Sequence, residues 1–130
     1  MDPHAAESQA INMGKKIAVL LISGPANTGK SFLANQFIGA RYGFKLRDQM
    51  PGSSGTTGIW IWNQLIPVSA EYDALILDCQ GLNDEDSHPE IDLKLLALSM
   101  LLSSQFVFNT VGLISDDSLN LLSIVQLLTT

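Results

Sequence analysis

The residues whose types and spacing most clearly indicate a chemical function are 24–31, which read Gly-Pro-Ala-Asn-Thr-Gly-Lys-Ser. They match the pattern G-x-x-x-x-G-K-[ST], in which backbone N–H groups of a loop and of the following helix N-terminus surround phosphate oxygens. In this pattern we expect Lys30 to reach the β- and γ-phosphates and the Ser31 hydroxyl to bind Mg²⁺. The segment therefore predicts a nucleotide site, because a chance glycine turn would not be preceded by an apolar strand and followed by a helix.

A second set of candidates follows the apolar residues 75–77. Asp78 stands where that predicted strand ends, and an acid there can hold a metal-bound water beside Ser31. Gly81 has no side chain, so its N–H can approach a γ-phosphate closely. The alternatives are an acidic loop start for Asp78 and a plain turn glycine for Gly81. The predicted nucleotide-contacting residues are Gly24, Asn27, Thr28, Gly29, Lys30, Ser31, Phe32 and Gly81.

Hydroxyl side chains precede the next predicted strand. Thr56 and Thr57 each have an oxygen that can complete the Mg²⁺ shell when the γ-phosphate is present, which would make their loop a switch. Either threonine can instead be an ordinary residue at the start of a strand. Ser53 and Ser54 are candidates for contacting the γ-phosphate or the attacking water, or are simply loop serines beside glycine.

Strands and helices must position these residues, and the hydrophobic pattern predicts both kinds of element along the chain. We expect strands at 16–23, 58–66, 74–78 and 105–110, and helices at 30–38, 91–103 and 119–128. Gly39 is a stop signal for the first helix, and residues 41–57 are predicted to be a mobile loop. Residues 116–118 are expected to cap the last helix.

The spacing of the strands also predicts their directions. Residues 67–73 are too few for a crossover helix, so strands 58–66 and 74–78 should form an antiparallel hairpin. The sheet is therefore mixed but mostly parallel, and the predicted fold class is α/β. This order of elements is the first half of a three-layer P-loop NTPase fold of the GTPase type, and we expect its remaining strands and helices to follow Thr130.

The composition is that of an ordered globular chain, with 46 % hydrophobic residues among 130. The net charge is −6, and six of the seven lysines and arginines lie within residues 15–47. This distribution gives no support for nucleic-acid binding. Cys79 is the only cysteine, which excludes an intramolecular disulfide.

The chain start and one apolar stretch bear on location. Residues 1–14 are predicted to be a flexible tail, and the absence of a basic, then apolar, leader at residues 1–9 predicts a cytoplasmic protein. Residues 95–115 carry no charge, but their serines, asparagine and threonine favour a buried helix that leads into a buried strand over a membrane span.

Taken together, the chain resembles the guanylate-binding protein and atlastin branch of the dynamin-like large GTPases over residues 17–128. The signature T-x-G-I-W after a phosphate loop is far more specific than the loop itself. The likeness rests on residues 29–35 (GKSFLAN), 43–44 (GF), 56–62 (TTGIWIW), 77–82 (LDCQGL) and 97–109 (ALSMLLSSQFVFN).

This resemblance implies a cytoplasmic GTPase that uses GTP and Mg²⁺, with Thr56 as the switch threonine on the metal. It also implies that two GTP-bound heads pair through their nucleotide faces and that a helical region couples the cycle to membranes or assembly. Lys30, Thr56, Ser54 and Gln80 are the catalytic candidates; guanylate-binding proteins usually have glutamate at the position of Gln80, and atlastins have glutamine.

The chain departs from the family pattern at Asn27, where the family commonly has an arginine that stabilises the transition state. An arginine finger is worth about 10³ to 10⁵ in rate. The alternative function is therefore a nucleotide- or partner-binding module with little turnover, unless Arg41, Lys45 or Arg47 supplies the charge. The Arg-Asp motif with which the family reads guanine does not occur among the residues after Gly81.

Overall fold

A five-stranded sheet organises the described part of the chain. The computed structural model describes residues 14–39, 43–44, 46 and 57–128. The elements, in chain order, are β1 (Lys16–Ser23), α1 (Lys30–Ile38), β2 (Ile59–Ile61), β3 (Ile66–Pro67), β4 (Tyr72–Cys79), α2 (Pro89–Leu102), β5 (Gln105–Phe108) and α3 (Asp116–Leu128).

The sheet is mixed, as the spacing predicts. Its order is β2-β4-β1-β5, with β3 also paired to β4. Strand β1 lies between β4 and β5 and is parallel to both, whereas β2 and β3 are antiparallel to β4. Because the carboxyl ends of parallel strands meet at one edge of a sheet, the segments that follow β1, β4 and β5 come together there.

Helices cover both faces of this sheet, because side chains alternate along a strand. Leu20 and Ile22 of β1 pack in a cluster with Ala34 of α1, and Leu21 packs in a different cluster with Leu95 of α2. The two faces of β1 therefore meet different helices, which produces three layers. Leu96 of α2 and Val125 of α3 share a further buried cluster.

The predicted bounds of β1 and α1 agree with the structure, and Gly39 ends α1 in a left-handed conformation at φ 65°. The predicted strand 58–66 was wrong as a single strand, because residues 62–65 separate two short strands that both pair with β4. Strand β4 begins two residues before the prediction and ends one residue after it. The hairpin prediction is confirmed.

The later elements also differ in detail. Helix α2 begins at Pro89, two residues before the prediction, since proline fits the first helical position. Asp116 and Asp117 lie inside the first turn of α3, where their charges favour the helix N-terminus, instead of preceding it. Strand β5 was expected to be buried, but it is the last strand in the sheet order and is half-buried.

Several sequence predictions fall outside the described residues. These are residues 1–13 of the predicted tail, most of the loop 41–57, and Ser53, Ser54 and Thr56 within it. Within the described ranges, no helix combines the length and apolar character that crossing a membrane requires.

Candidate phosphate-binding site

The predicted phosphate loop runs from the end of β1 to the start of α1. Three of its residues have positive φ: Gly24 at 143°, Asn27 at 61° and Gly29 at 81°. A Cβ on Gly24 would lie 2.1 Å from the backbone oxygen of Asn109, so only glycine lets the loop leave β1 beside the end of β5. Gly29 has no such crowding; glycine adopts its left-handed conformation at the N-cap of α1 without strain.

The Lys30 side chain is folded into the loop. Its exposed fraction is 7 %, and Nζ donates a hydrogen bond of 2.6 Å to the carbonyl oxygen of Pro25. Burial lowers the pKa of Lys30, and the negative charge of Asp78 opposes that shift, with smaller contributions from Cys79 and Asp84. The Lys30 ammonium group is paired with a carbonyl oxygen while it is buried. A phosphate oxygen that replaced this carbonyl could accept the same hydrogen bond.

Ser31 and Asp78 meet at the base of this loop, although 47 residues separate them in sequence. The Ser31 hydroxyl donates to Oδ2 of Asp78 at 2.5 Å, and Asp78 has no exposed surface. A hydroxyl and a carboxylate are the hard oxygen donors that Mg²⁺ prefers, either directly or through bound water. The residues present therefore fit a magnesium site beside the phosphate loop.

The loop is held in shape by internal bonds as well. The Thr28 hydroxyl donates to the carbonyl of Pro25 at 3.0 Å, the same oxygen that accepts from Lys30. The Asn109 side chain donates to the carbonyl of Thr28 at 2.7 Å. Asn27 is exposed, so its amide side chain faces the solvent side of the loop.

The segment after β4 is joined to the phosphate loop through its backbone. The N–H of Ala26 donates to the carbonyl of Leu82 at 2.9 Å, and the N–H of Leu82 donates to the carbonyl of Gly24 at 3.0 Å. A Cβ on Gly81 would lie 2.6 Å from Cα of Ala26. The structure thus supplies a reason for glycine at position 81 that differs from the predicted approach of its N–H to a γ-phosphate.

Gln80 connects the end of β4 to the start of β2. Its Oε1 accepts a hydrogen bond of 2.8 Å from the N–H of Gly58, and its own N–H donates to the carbonyl of Gly58 at 2.7 Å. Gly58 follows Thr57 directly. The predicted catalytic glutamine therefore contacts the backbone two residues after Thr56.

A side-chain amide also ties α1 to the segment that follows it. Asn35 is 4 % exposed, and its Nδ2 donates to the carbonyl of Phe44 at 2.9 Å while its Oδ1 accepts from the N–H of Phe44 at 2.6 Å. The buried Phe44 ring lies 5.7 Å from the ring of Trp62, measured between centroids. The two tryptophans differ in burial, because Trp62 is half-buried and Trp60 is exposed. The indole N–H of Trp60 donates to the carbonyl of Thr57.

Cys79 lies next to the metal candidate Asp78 and is fully buried. Burial raises the pKa of the Cys79 thiol, and the Asp78 charge adds to this effect, while Ser99, Ser23 and Lys30 oppose it. The Ser99 hydroxyl donates a hydrogen bond of 3.5 Å to Sγ of Cys79. This cysteine is therefore neutral and packs as a small core residue.

The structure brings most of the predicted site together. Lys30, Ser31, Asp78 and Gly81 surround one loop, whereas Phe32 is exposed on α1 and has only its backbone N–H near the helix start. Sequence reasoning missed the contacts of Asn35 and Asn109. A polar residue directly after a strand parallel to β1 was the available signal for Asn109, because that position must lie at the loop's edge of the sheet.

Comparison with known proteins gives one consistent result. The family model described as "Guanylate-binding protein, N-terminal domain" matches residues 3–130. Guanylate-binding protein 6 of Mus musculus is 38 % identical over 118 residues, which cover 90 % of this chain and 19 % of that protein. Guanylate-binding protein 7 and guanylate-binding protein 2 of Homo sapiens are 40 % and 39 % identical, each over 114 residues.

The two human matches cover 87 % of this chain and 18 % and 19 % of those proteins. The chain thus spans about a fifth of the length of the curated relatives it matches.

Proposed function

This chain belongs to the guanylate-binding protein family, and we propose that it binds GTP and takes part in Mg²⁺-dependent hydrolysis of GTP to GDP and phosphate. The observation that carries the proposal is the contact between Ser31 and Asp78 beneath a loop that buries Lys30. This arrangement supports the proposal because a triphosphate and its metal ion require a cation and hard oxygen donors close together. On this proposal the chain is the N-terminal part of a GTPase domain.

Each residue has a defined task in the proposed reaction. Lys30 exchanges the carbonyl of Pro25 for phosphate oxygens, and its positive charge offsets the negative charge that develops during phosphoryl transfer. Ser31 and Asp78 would hold Mg²⁺, which would supply further charge neutralisation at the phosphates. Backbone N–H groups at the end of the loop and at the start of α1 orient the substrate.

The remaining roles lie on the two segments that meet through Gln80 and Gly58. Thr56 is proposed as a further Mg²⁺ ligand, and Ser54 as a contact to the γ-phosphate or the attacking water; both lie outside the described residues. Gln80 is proposed to act on the water or on the backbone that positions Thr56, since its Oε1 is bonded to Gly58. Gly81 contributes its backbone N–H near the γ-phosphate.

The alternative is a binding module with little turnover, and Asn27 favours it. Asn27 is exposed on the loop and has no charge to stabilise the transition state. In this case the loop still binds nucleotide, and the bound nucleotide controls the binding of a partner instead of being hydrolysed rapidly. The GTPase and the binding module differ in the expected rate of GTP hydrolysis, whereas both are expected to bind nucleotide.

Nucleotide binding is tested by Lys30→Ala and Ser31→Ala in the full-length protein, using a non-hydrolysable GTP analogue and calorimetry. We expect at least about tenfold weaker binding for each, because each removes a charge-assisted or metal-mediated contact. Lys94→Ala is the matched control, since Lys94 is exposed on α2 and away from the loop. Wild-type affinity in both Lys30→Ala and Ser31→Ala would overturn the proposal.

We extend the proposal to assembly on the basis of the family resemblance. Two GTP-bound copies of the full-length protein pair through their nucleotide faces, and regions beyond this chain mediate any membrane association of an otherwise cytoplasmic protein. Sedimentation of the full-length protein with GDP and with a GTP analogue tests the pairing. A monomer in both states contradicts it.

A further inference from the structure

Asn109, the residue that follows β5, contacts both ends of the phosphate loop. Its backbone N–H donates to the carbonyl of Ser23 at 2.7 Å, which continues the pairing of β5 with β1 by one residue. Its side-chain Nδ2 donates to the carbonyl of Thr28 at 2.7 Å and lies 3.4 Å from the Thr28 hydroxyl. One residue thus bonds both the residue that precedes the loop and a residue within it.

The bond to Thr28 determines which way the next peptide N–H points. No peptide bond in the described chain is cis, and in a planar trans peptide the C=O and the following N–H point in opposite directions. Since the Thr28 carbonyl points toward Asn109, the Gly29 N–H points away from β5. Gly29 is the N-cap of α1, so this N–H lies among the N-terminal amides of the loop and helix.

The loop also packs directly against Asn109. A Cβ at Gly24 would lie 2.1 Å from the Asn109 oxygen, so the two backbones are in contact at the start of the loop. Asn109 is half-buried in this contact. The backbone of Asn109 is therefore held against the loop, and its side chain reaches the carbonyl of Thr28 from this position.

We propose that Asn109 is a positioning residue for nucleotide binding: through the Thr28 carbonyl, it orients the Thr28–Gly29 peptide so that the Gly29 N–H is available to a phosphate. The inference rests on the proposed function, because the ligand it serves is the phosphate chain of the nucleotide. It assigns a role in the phosphate site to β5, a strand that carries none of the loop's motif residues.

The test uses Asn109→Asp and Asn109→Leu in the full-length protein. Both variants keep a side chain of similar size and remove the N–H donor, and Asp also places a negative charge near the phosphates. Asn63→Asp is the matched control, since Asn63 is exposed between β2 and β3. The readouts are affinity for a GTP analogue and backbone hydrogen exchange of the nucleotide-free protein.

We expect about 3- to 10-fold weaker nucleotide binding in Asn109→Leu, the loss that follows from one hydrogen bond, and a larger loss in Asn109→Asp. Exchange should accelerate in residues 24–31 and stay unchanged in β4 and α3. Affinity within twofold of wild type, with unchanged loop exchange, overturns the proposal. So does faster exchange throughout the protein, because that result indicates a general structural role.

The proposed function and this inference fail differently. If the wild-type protein binds no nucleotide, the proposed function fails and the role of Asn109 in binding fails with it, whatever the exchange result. If the wild type binds and Lys30→Ala abolishes binding while both Asn109 variants bind normally, the proposed function holds and only the inference about Asn109 is wrong.

Discussion

At the scale of single residues, Asn27 is the position on which the two proposed functions differ. Its φ of 61° is one that asparagine tolerates better than most residues. Its side chain is exposed, so the structure has room for a longer one. The loop conformation therefore suits asparagine, whereas charge stabilisation of phosphoryl transfer would require a cation at this place.

We predict that Asn27→Arg in the full-length protein increases single-turnover GTP hydrolysis by at least about tenfold, because an arginine finger is worth about 10³ to 10⁵ in rate when correctly placed. Asn27→Gln is the control, since it brings similar backbone strain without a charge. Affinity for a GTP analogue should change little in either variant.

Fast hydrolysis by the wild type that Asn27→Arg does not increase would show that another group supplies the charge. In that case the binding-module alternative is excluded, and the cations of the loop 41–57 become the next residues to replace.

At the scale of elements, the sequence predicted those parts that local patterns define. Strand β1 is a continuous aliphatic run that leads into a glycine motif, and α1 ends at a glycine, so both bounds were predictable. The interruption between β2 and β3 was not predictable, because Asn63 and Gln64 break the apolar run of residues 59–66 for only two positions.

The candidate site shows the same division. The Ser31 and Asp78 contact could be anticipated because each residue belongs to a motif at the end of a strand. The contact of Asn35 with Phe44 could not be anticipated in this way, and for Asn109 the position after a strand indicated the edge of the sheet but not the bond to Thr28. Asparagine occurs in many surface loops, and its amide identifies no partner until the fold places a backbone group beside it.

The clamp between α1 and Phe44 gives a prediction for stability. Asn35→Leu leaves the buried N–H and C=O of Phe44 without partners, which should lower the free energy of unfolding by about 2 to 4 kcal/mol. Urea unfolding of the 130-residue polypeptide measures this difference. Gln36→Leu is the matched control, because Gln36 is the next residue of α1 and is exposed.

If Asn35→Leu and Gln36→Leu unfold within about 0.5 kcal/mol of each other, the range of ordinary surface substitutions, the clamp contributes little. A loss in Asn35→Leu that is accompanied by a change in tryptophan fluorescence would instead locate the effect at Phe44 and Trp62, whose rings are adjacent.

At the scale of the whole molecule, the candidate phosphate site and much of the exposed apolar surface belong to different elements. The buried cation and the oxygen donors lie in the loop after β1 and at the end of β4, whereas many exposed large apolar side chains belong to α2, α3 and the segment between β5 and α3. Leu101 of α2 is 79 % exposed, and Leu113 is 96 % exposed. Apolar side chains exposed together favour association.

We therefore predict that the 130-residue polypeptide self-associates and that the double variant Leu101→Lys, Leu113→Lys does so less. Sedimentation velocity over a range of concentrations measures the change. The double variant Asn63→Lys, Gln64→Lys controls for added charge, since both residues are exposed beside β2. A wild-type chain that stays monomeric throughout this range contradicts the prediction.

Leu82 gives the molecule a mechanical connection. Its side chain is fully buried with Leu96 of α2 and Val125 of α3, while its backbone is hydrogen-bonded to Gly24 and Ala26. A substitution of Leu82 would therefore disturb the packing of the two helices and the backbone that holds the phosphate loop at the same time.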